Sequence, residues 1–159
     1  VYLLYTVDKK EGELMCFKWS KTYSVAVNGI NASQIWEIWS DVSKRHLWDT
    51  DTKSTKINGP FRQGSILDIE LSNGKKIKME IAECIPNEVF TDLYQFPLAK
   101  LYGIHRIEEN NGALQIITTI EIKGLLSYLW QKLVGEEIFA TLPEQTAMLI
   151  NLAKEQKQL

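Results

Sequence analysis

The chain has 159 residues, a length that suits one domain and allows a core buried without disulfides or a structural metal. Its 18 basic and 20 acidic residues leave a net charge of −2 with no long run of one sign, which speaks against nucleic acid, whose binding needs a basic stripe. Apolar residues make up 45% and charged residues 24%, globular proportions that argue against disorder, and no apolar stretch is long enough to span a bilayer.

Residues 1–15 are the least readable segment, an N-terminal extension of the single domain expected over 1–159. A strand over Val1–Val7 and a turn at Asp8–Gly12 fit the pattern. The opening is too short for a membrane helix and lacks a basic leader region. The chain begins at Val1, so an upstream segment or a clipped signal peptide stays open. Residues 14–28 read as a strand with Tyr23, Val25 and Val27 on one face. At Asn31 the period changes: Asn31 is a good helix N-cap with Gln34 three positions on, and Ile35, Ile38, Trp39 and Val42 follow at helical spacing. Ser40 and Asp41 restart a second short helix through Trp48.

From residue 52 the apolar period is two, punctuated by turns at Asn58-Gly59-Pro60, Asn73-Gly74, Pro86-Asn87, Pro97 and Glu109–Gly112. Leu67, Ile69 and Leu71 alternate with acids, and Ile77, Met79 and Ile81 alternate with Lys76, Lys78 and Glu80. Strands at 88–96, 99–109 and Leu114–Ile122 complete an antiparallel meander. Gly124 ends the last strand, and a helical stripe runs from Leu126 through Leu129, Leu133, Val134, Ile138 and Leu142 to Leu152. Pro143 predicts a kink or restart near Leu142. The expected class is α+β: a curved antiparallel sheet of about seven strands wrapped around a long C-terminal helix, with two short helices after the first strand.

That element order resembles the START-like, or SRPBCC, superfamily, which includes polyketide cyclases/dehydrases and lipid-transport proteins. Ile30-Asn31-Ala32-Ser33-Gln34-Ile35-Trp36 looks like its entry into the first helix. Ser40-Asp41-Val42 with Leu47-Trp48 looks like its second helix, Gly64-Ser65 like its third-strand opening, and Lys123-Gly124-Leu125-Leu126 like its entry into the last helix. The likeness runs over roughly residues 16–155. It implies a helix-grip fold with a ligand cavity between sheet and helix. A curved sheet also leaves, on physical grounds, a concave face that one straight helix does not fill.

Few residues carry obvious chemistry. His46 sits among charged neighbours and reads as a surface residue. His105 shares strand parity with Leu101, Gly103 and Ile107, whereas Arg106 shares parity with Tyr102 and Ile104. An unpaired guanidinium is costlier to bury than a neutral imidazole, so His105 is expected to face inward. Asp92 faces either in, with Phe90 and Tyr94, or out. Asp49 and Asp51 read as solvated loop carboxylates beside Lys53. The widely spaced His46, His105, Cys16 and Cys84 match no metal-ligand spacing, and no phosphate loop or cofactor motif occurs, so neither metal nor cofactor is expected. Two cysteines without a CxxC read as reduced core thiols and point to a cytoplasmic protein.

The expected ligand-binding set is His105 and Thr118 on the concave face, surrounded by Leu67, Ile69, Ile77, Met79, Leu101, Ile116 and Ile120. Trp36 is placed at the cavity mouth and Leu133 on the facing helix stripe. The partner so implied is a small hydrophobic molecule, bound or carried without chemistry. One rival is a cyclase or dehydratase using His105 and Asp92 as acid and base. Another is a protein-interaction module with a closed cavity and an exposed apolar patch. The oligomeric state is not legible.

Overall fold

The computed structural model describes residues 17–110 and 112–156. The readings made for residues 1–15 and for Cys16 lie outside them. Strand β1 (Lys18–Val27) leads to helix α1 (Ala32–Ser40) and a 3₁₀ helix (Val42–Leu47). Six strands follow: β2 (Thr52–Ile57), β3 (Ile66–Leu71), β4 (Lys76–Ile85), β5 (Val89–Phe96), β6 (Ala99–Asn110) and β7 (Ala113–Lys123). The chain then continues as α2 (Ser127–Trp130), one π turn (Gln131–Gly135) and α3 (Glu136–Gln156). The seven strands form one antiparallel sheet in the order β1-β7-β6-β5-β4-β3-β2, a meander with β1 closing beside β7. No described helix is long and apolar enough to cross a membrane.

Helix α1 starts where the capping box predicts. The Asn31 side chain accepts the Gln34 N–H, and the Gln34 side chain accepts the Asn31 N–H, both at 3.0 Å. Gln34 also donates to the Ala153 carbonyl at 3.0 Å, which ties α1 to the end of α3. Ile35, Ile38 and Trp39 are buried toward the sheet. Trp36 lies about 100° round the helix from Ile35. It is only partly buried and packs edge-on against Phe61.

Strand alternation fixes the concave face. Leu67, Ile69, Met79, Ile81, Leu101, Ile116, Ile120 and Ile122 are all buried. A bulge in β4 between Ile81 and Glu83 reverses the parity, so that Cys84, rather than Glu83, pairs with Phe90. Cys84 is a free thiol whose pKa burial pushes up. Trp19, Leu101, Ile120, Ile122 and Leu142 form one apolar cluster; Val42, Leu67, Ile69, Met79 and Ile81 form another.

The C-terminal segment corrects one expectation and narrows another. The stripe drawn through Leu129 and Leu133 does not face the sheet: these residues are 45% and 57% exposed. The π turn takes five residues where an α turn takes fewer, which rotates the face presented to the sheet. Gln131 and Gly135 go inward instead. Gly135 is needed there, because a Cβ would come within 2.9 Å of Ile122 and Trp19. Nor does the helix restart at Pro143. It runs unbroken from Glu136 to Gln156, with Pro143 exposed and Leu142, Gln145, Thr146, Leu149 and Ala153 buried.

Candidate functional site

A line of polar side chains crosses the concave face beneath α3. Asp92 on β5 and His105 on β6 both point inward, 3% and 9% exposed. The His105 Nε2 lies 3.0 Å from Asp92 Oδ2, and the Thr118 hydroxyl on β7 lies 3.5 Å from Nδ1. The imidazole stacks on Phe90, with ring centres 4.4 Å apart, and meets the edge of Trp39. The ring is therefore held by packing on its faces as well as by hydrogen bonds at both nitrogens.

Asp92 has a place on the sheet because its neighbour has no side chain. Gly103 is its register partner on β6, and a Cβ there would lie 2.3 Å from Asp92 Oδ1. Any other residue at 103 would displace the carboxylate.

Arg45, from the 3₁₀ helix, reaches the same carboxylate from the other side. Its Nη2 is 3.7 Å from Asp92 Oδ2, its Nε donates to Asp49 Oδ2 at 2.9 Å, and its Nη1 contacts the Met79 sulfur at 3.6 Å. The guanidinium also lies over the Trp48 ring. Burial disfavours its charge, but Tyr94, Asp49 and Asp92 outweigh that and raise its pKa, so it stays cationic. Burial, then the Asp92 charge, push the Tyr94 phenol well above its ordinary value, with Arg45 opposing only in part. Asp49 also accepts from the Thr52 hydroxyl at 2.9 Å and from the Gln145 amide of α3 at 3.3 Å. The result is a continuous buried relay: Thr118, His105, Asp92, Arg45, Asp49, Gln145. Arg45 is one cation between two carboxylates.

A small cavity, about 10 Å³, opens beside this relay, lined by Trp39, Trp48, His105 and Thr118 below and by Leu142, Gln145, Thr146 and Leu149 of α3 above. That is room for about one water. A wider hollow of about 370 Å³ lies elsewhere, on β2–β4, among Lys56, Asp68, Glu70, Lys76 and Lys78. Asp68 pairs with Lys78 and Glu70 with Lys53, each at 2.6 Å, as on a solvated strand surface.

Solved structures share the fold. The chain is similar to norcoclaurine synthase from Thalictrum flavum, with a TM-score of 0.67 and 15% identity over 91% of this chain and 99% of that one. Against the di-domain ARO/CYC StfQ from the steffimycin biosynthetic pathway the TM-score is 0.70 at 10% identity, over 89% of this chain and 52% of that one. Hypothetical protein jhp0584 from Helicobacter pylori gives 0.67 at 12% identity, over 84% and 87%. The chain has the helix-grip fold. No protein-family model matches it, and no curated protein does.

Within that helix-grip frame the residues named from sequence separate. His105 and Thr118 come together at the cavity. Leu67, Ile69 and Met79 pack under the 3₁₀ helix, Leu101 and Ile120 pack around Trp19, and Ile116 packs with Trp39 and Phe90. These are buried core positions and do not line the cavity. Ile77 is half-buried at the margin of the β2–β4 hollow. Leu133 faces outward because of the π turn, and Trp39 lines the cavity where Trp36 was expected. His46 is exposed. Asp49 is not a solvated loop acid: it is 8% exposed and bonded to Arg45. Arg45, Asp49 and Gln145 escaped the sequence reading. Their one sequence signal is the i, i+4 spacing of Arg45 and Asp49, shared by many surface pairs.

Proposed function

We propose that this domain binds a small, largely apolar molecule between the sheet and α3, with a polar group of that molecule meeting His105 and Thr118. The observation that carries the reading is the His105 ring. One nitrogen is tied to a buried carboxylate, and the other is directed toward Thr118 at a cavity walled by Trp39, Trp48 and Leu149. Apolar walls with a few fixed polar groups are what a small-molecule site requires. A cavity of about 10 Å³ holds no such molecule as it stands, so its volume has to come from movement of α3 away from Trp39 and Trp48.

The Asp92–His105 pair favours a second reading, in which the bound molecule is also a substrate. A histidine oriented by a buried carboxylate can accept a proton from a carbon beside a carbonyl, or return one to a departing oxygen. This is the cyclase or dehydratase class of chemistry. The norcoclaurine synthase relative is described in complex with dopamine and hydroxybenzaldehyde, and an aromatic aldehyde is a fair first probe here.

The test is NMR of the purified chain titrated with 4-hydroxybenzaldehyde and, separately, with decanoic acid, together with native mass spectrometry of the protein as purified. Binding should shift the His105 ring and Thr118 methyl signals and leave the Leu133 methyls in place. His105→Asn and Thr118→Val should each weaken it. A chain that carries no retained molecule, and whose interior signals neither probe moves, would sink both readings.

A further inference from the structure

We propose that the polar group of the bound molecule is an uncharged carbonyl, whose oxygen accepts hydrogen bonds from the indole N–H groups of Trp39 and Trp48. This rests on the ligand reading above and names the chemical class that the same cavity selects. Trp39 of α1 and Trp48 at the end of the 3₁₀ helix both wall the cavity, and both are buried, at 3% and 4% exposure. Neither indole N–H has a hydrogen-bond acceptor among the described residues. An indole nitrogen only donates, so these two groups do not satisfy each other. Trp130 shows the ordinary outcome, its indole donating to the Pro97 carbonyl at 3.0 Å.

Packing alone does not call for these two donors. Phenylalanine or leucine would fill the wall without burying an N–H, and a buried tryptophan N–H usually has a partner. Trp19 and Gln131 also carry buried polar atoms without a partner among the described residues, but there one is a donor and the other an acceptor, and both lie against the π turn. At the cavity the two orphaned groups have the same sense, and what completes them is an acceptor supplied from outside the chain. Neither residue belongs to α3, so the movement of α3 that admits a molecule leaves both donors on the wall it meets.

The remaining groups select the charge of that acceptor. Two of the lining side chains are bonded to carboxylates: His105 Nε2 lies 3.0 Å from Asp92 Oδ2, and Gln145 Nε2 donates to Asp49 Oδ1 at 3.3 Å. Arg45 is the cation between those carboxylates. A ligand carboxylate would bring a further negative charge into this buried cluster, and an ammonium would set donors against donors. A ketone or aldehyde avoids both faults, since its oxygen accepts two hydrogen bonds and carries no charge. Leu142 and Leu149 then cover the apolar remainder of the molecule.

The experiment titrates the full chain with four probes of similar shape: acetophenone, ethylbenzene, phenylethylammonium and benzoate. The assigned indole N–H signals are followed by NMR. Acetophenone is expected to bind tightest and to move the Trp39 and Trp48 signals downfield, with the Trp130 signal in place. Trp39→Phe and Trp48→Phe should each lower the ratio of acetophenone to ethylbenzene affinity roughly threefold to tenfold, the worth of one hydrogen bond. The ratio cancels the packing lost with the larger ring. If a variant fails to fold, the wild-type probe order and the indole shifts still decide. Ethylbenzene binding as tightly as acetophenone, benzoate or the ammonium binding best, or a ratio indifferent to both variants overturns this inference and leaves the ligand reading standing. Indole signals that contact water and stay fixed under saturating acetophenone also overturn it, by assigning both donors to a bound water. If no probe binds, this inference falls, whereas the ligand reading falls only if the purified protein also retains no molecule.

Discussion

Midway along the sheet Arg45, Asp49, Asp92 and His105 are buried, while at one end Leu98, Leu125, Tyr128, Leu129 and Leu133 are exposed. Both regions invert the ordinary partition, but by different routes. The charged interior is satisfied from within: each carboxylate has a cation or donor beside it, and a missing side chain at Gly103 makes room for one of them. The apolar end has no such internal account, since the contacts that fix its backbone leave its side chains outside. Substitutions in the first region should therefore be read in folding stability, and those in the second should leave it nearly unchanged.

The widest separation between the regions should come from Arg45→Met. It strands two buried carboxylates and is expected to cost about 3–5 kcal/mol in denaturant unfolding. Restoring charge balance with Asp49→Asn and Asp92→Asn should return much of that loss; a cost near zero for Arg45→Met alone would mean the relay is open to water. Next is Leu142→Ala, in the cluster with Trp19 and Leu101, at about 2–5 kcal/mol. Gly103→Ala should cost about 1–3 kcal/mol by crowding Asp92. In an Asp92→Ala background its cost should shrink, a non-additivity that a double-mutant cycle reads directly.

A smaller, pH-dependent effect belongs to Glu121, which bonds Lys18 and Lys123. Burial would raise its pKa, but its bonds to Lys123 and Lys18 prevail and hold it below the ordinary 4.5. A depressed carboxylate adds stability that is fully present above 4.5 and is lost as pH falls through the folded-state value. Melting temperatures of wild type and Glu121→Gln should accordingly differ at neutral pH and converge in acid; a constant difference would show that the ion pairs carry none of it. Leu133→Ala should be the mildest change, within about 0.5 kcal/mol, since its side chain already faces solvent. A large loss there would restore Leu133 to the core and undo the apolar end.

Local rules in the sequence determined the element order, the α1 capping box, the antiparallel meander and the inward parity of His105 and Thr118. Each depends on residues a few positions apart: a cap and its N3 partner, a turn dipeptide, or alternation along one strand with Arg106 forced outward. Only the tertiary structure decided the rest. Asp49 read as a solvated loop acid and Arg45 went unread because nothing near them in sequence reveals that Asp92, 43 positions beyond Asp49, folds over them. Asp92 itself could be turned inward only once Gly103 lay opposite it. The helix stripe failed at Leu129 and Leu133 because one π turn, which brings Gly135 close to Trp19 and Ile122, rotated the face that meets the sheet. Periodicity records which residues share a side of an element; long-range contacts decide which side is inside, and they form between residues that the linear sequence keeps apart.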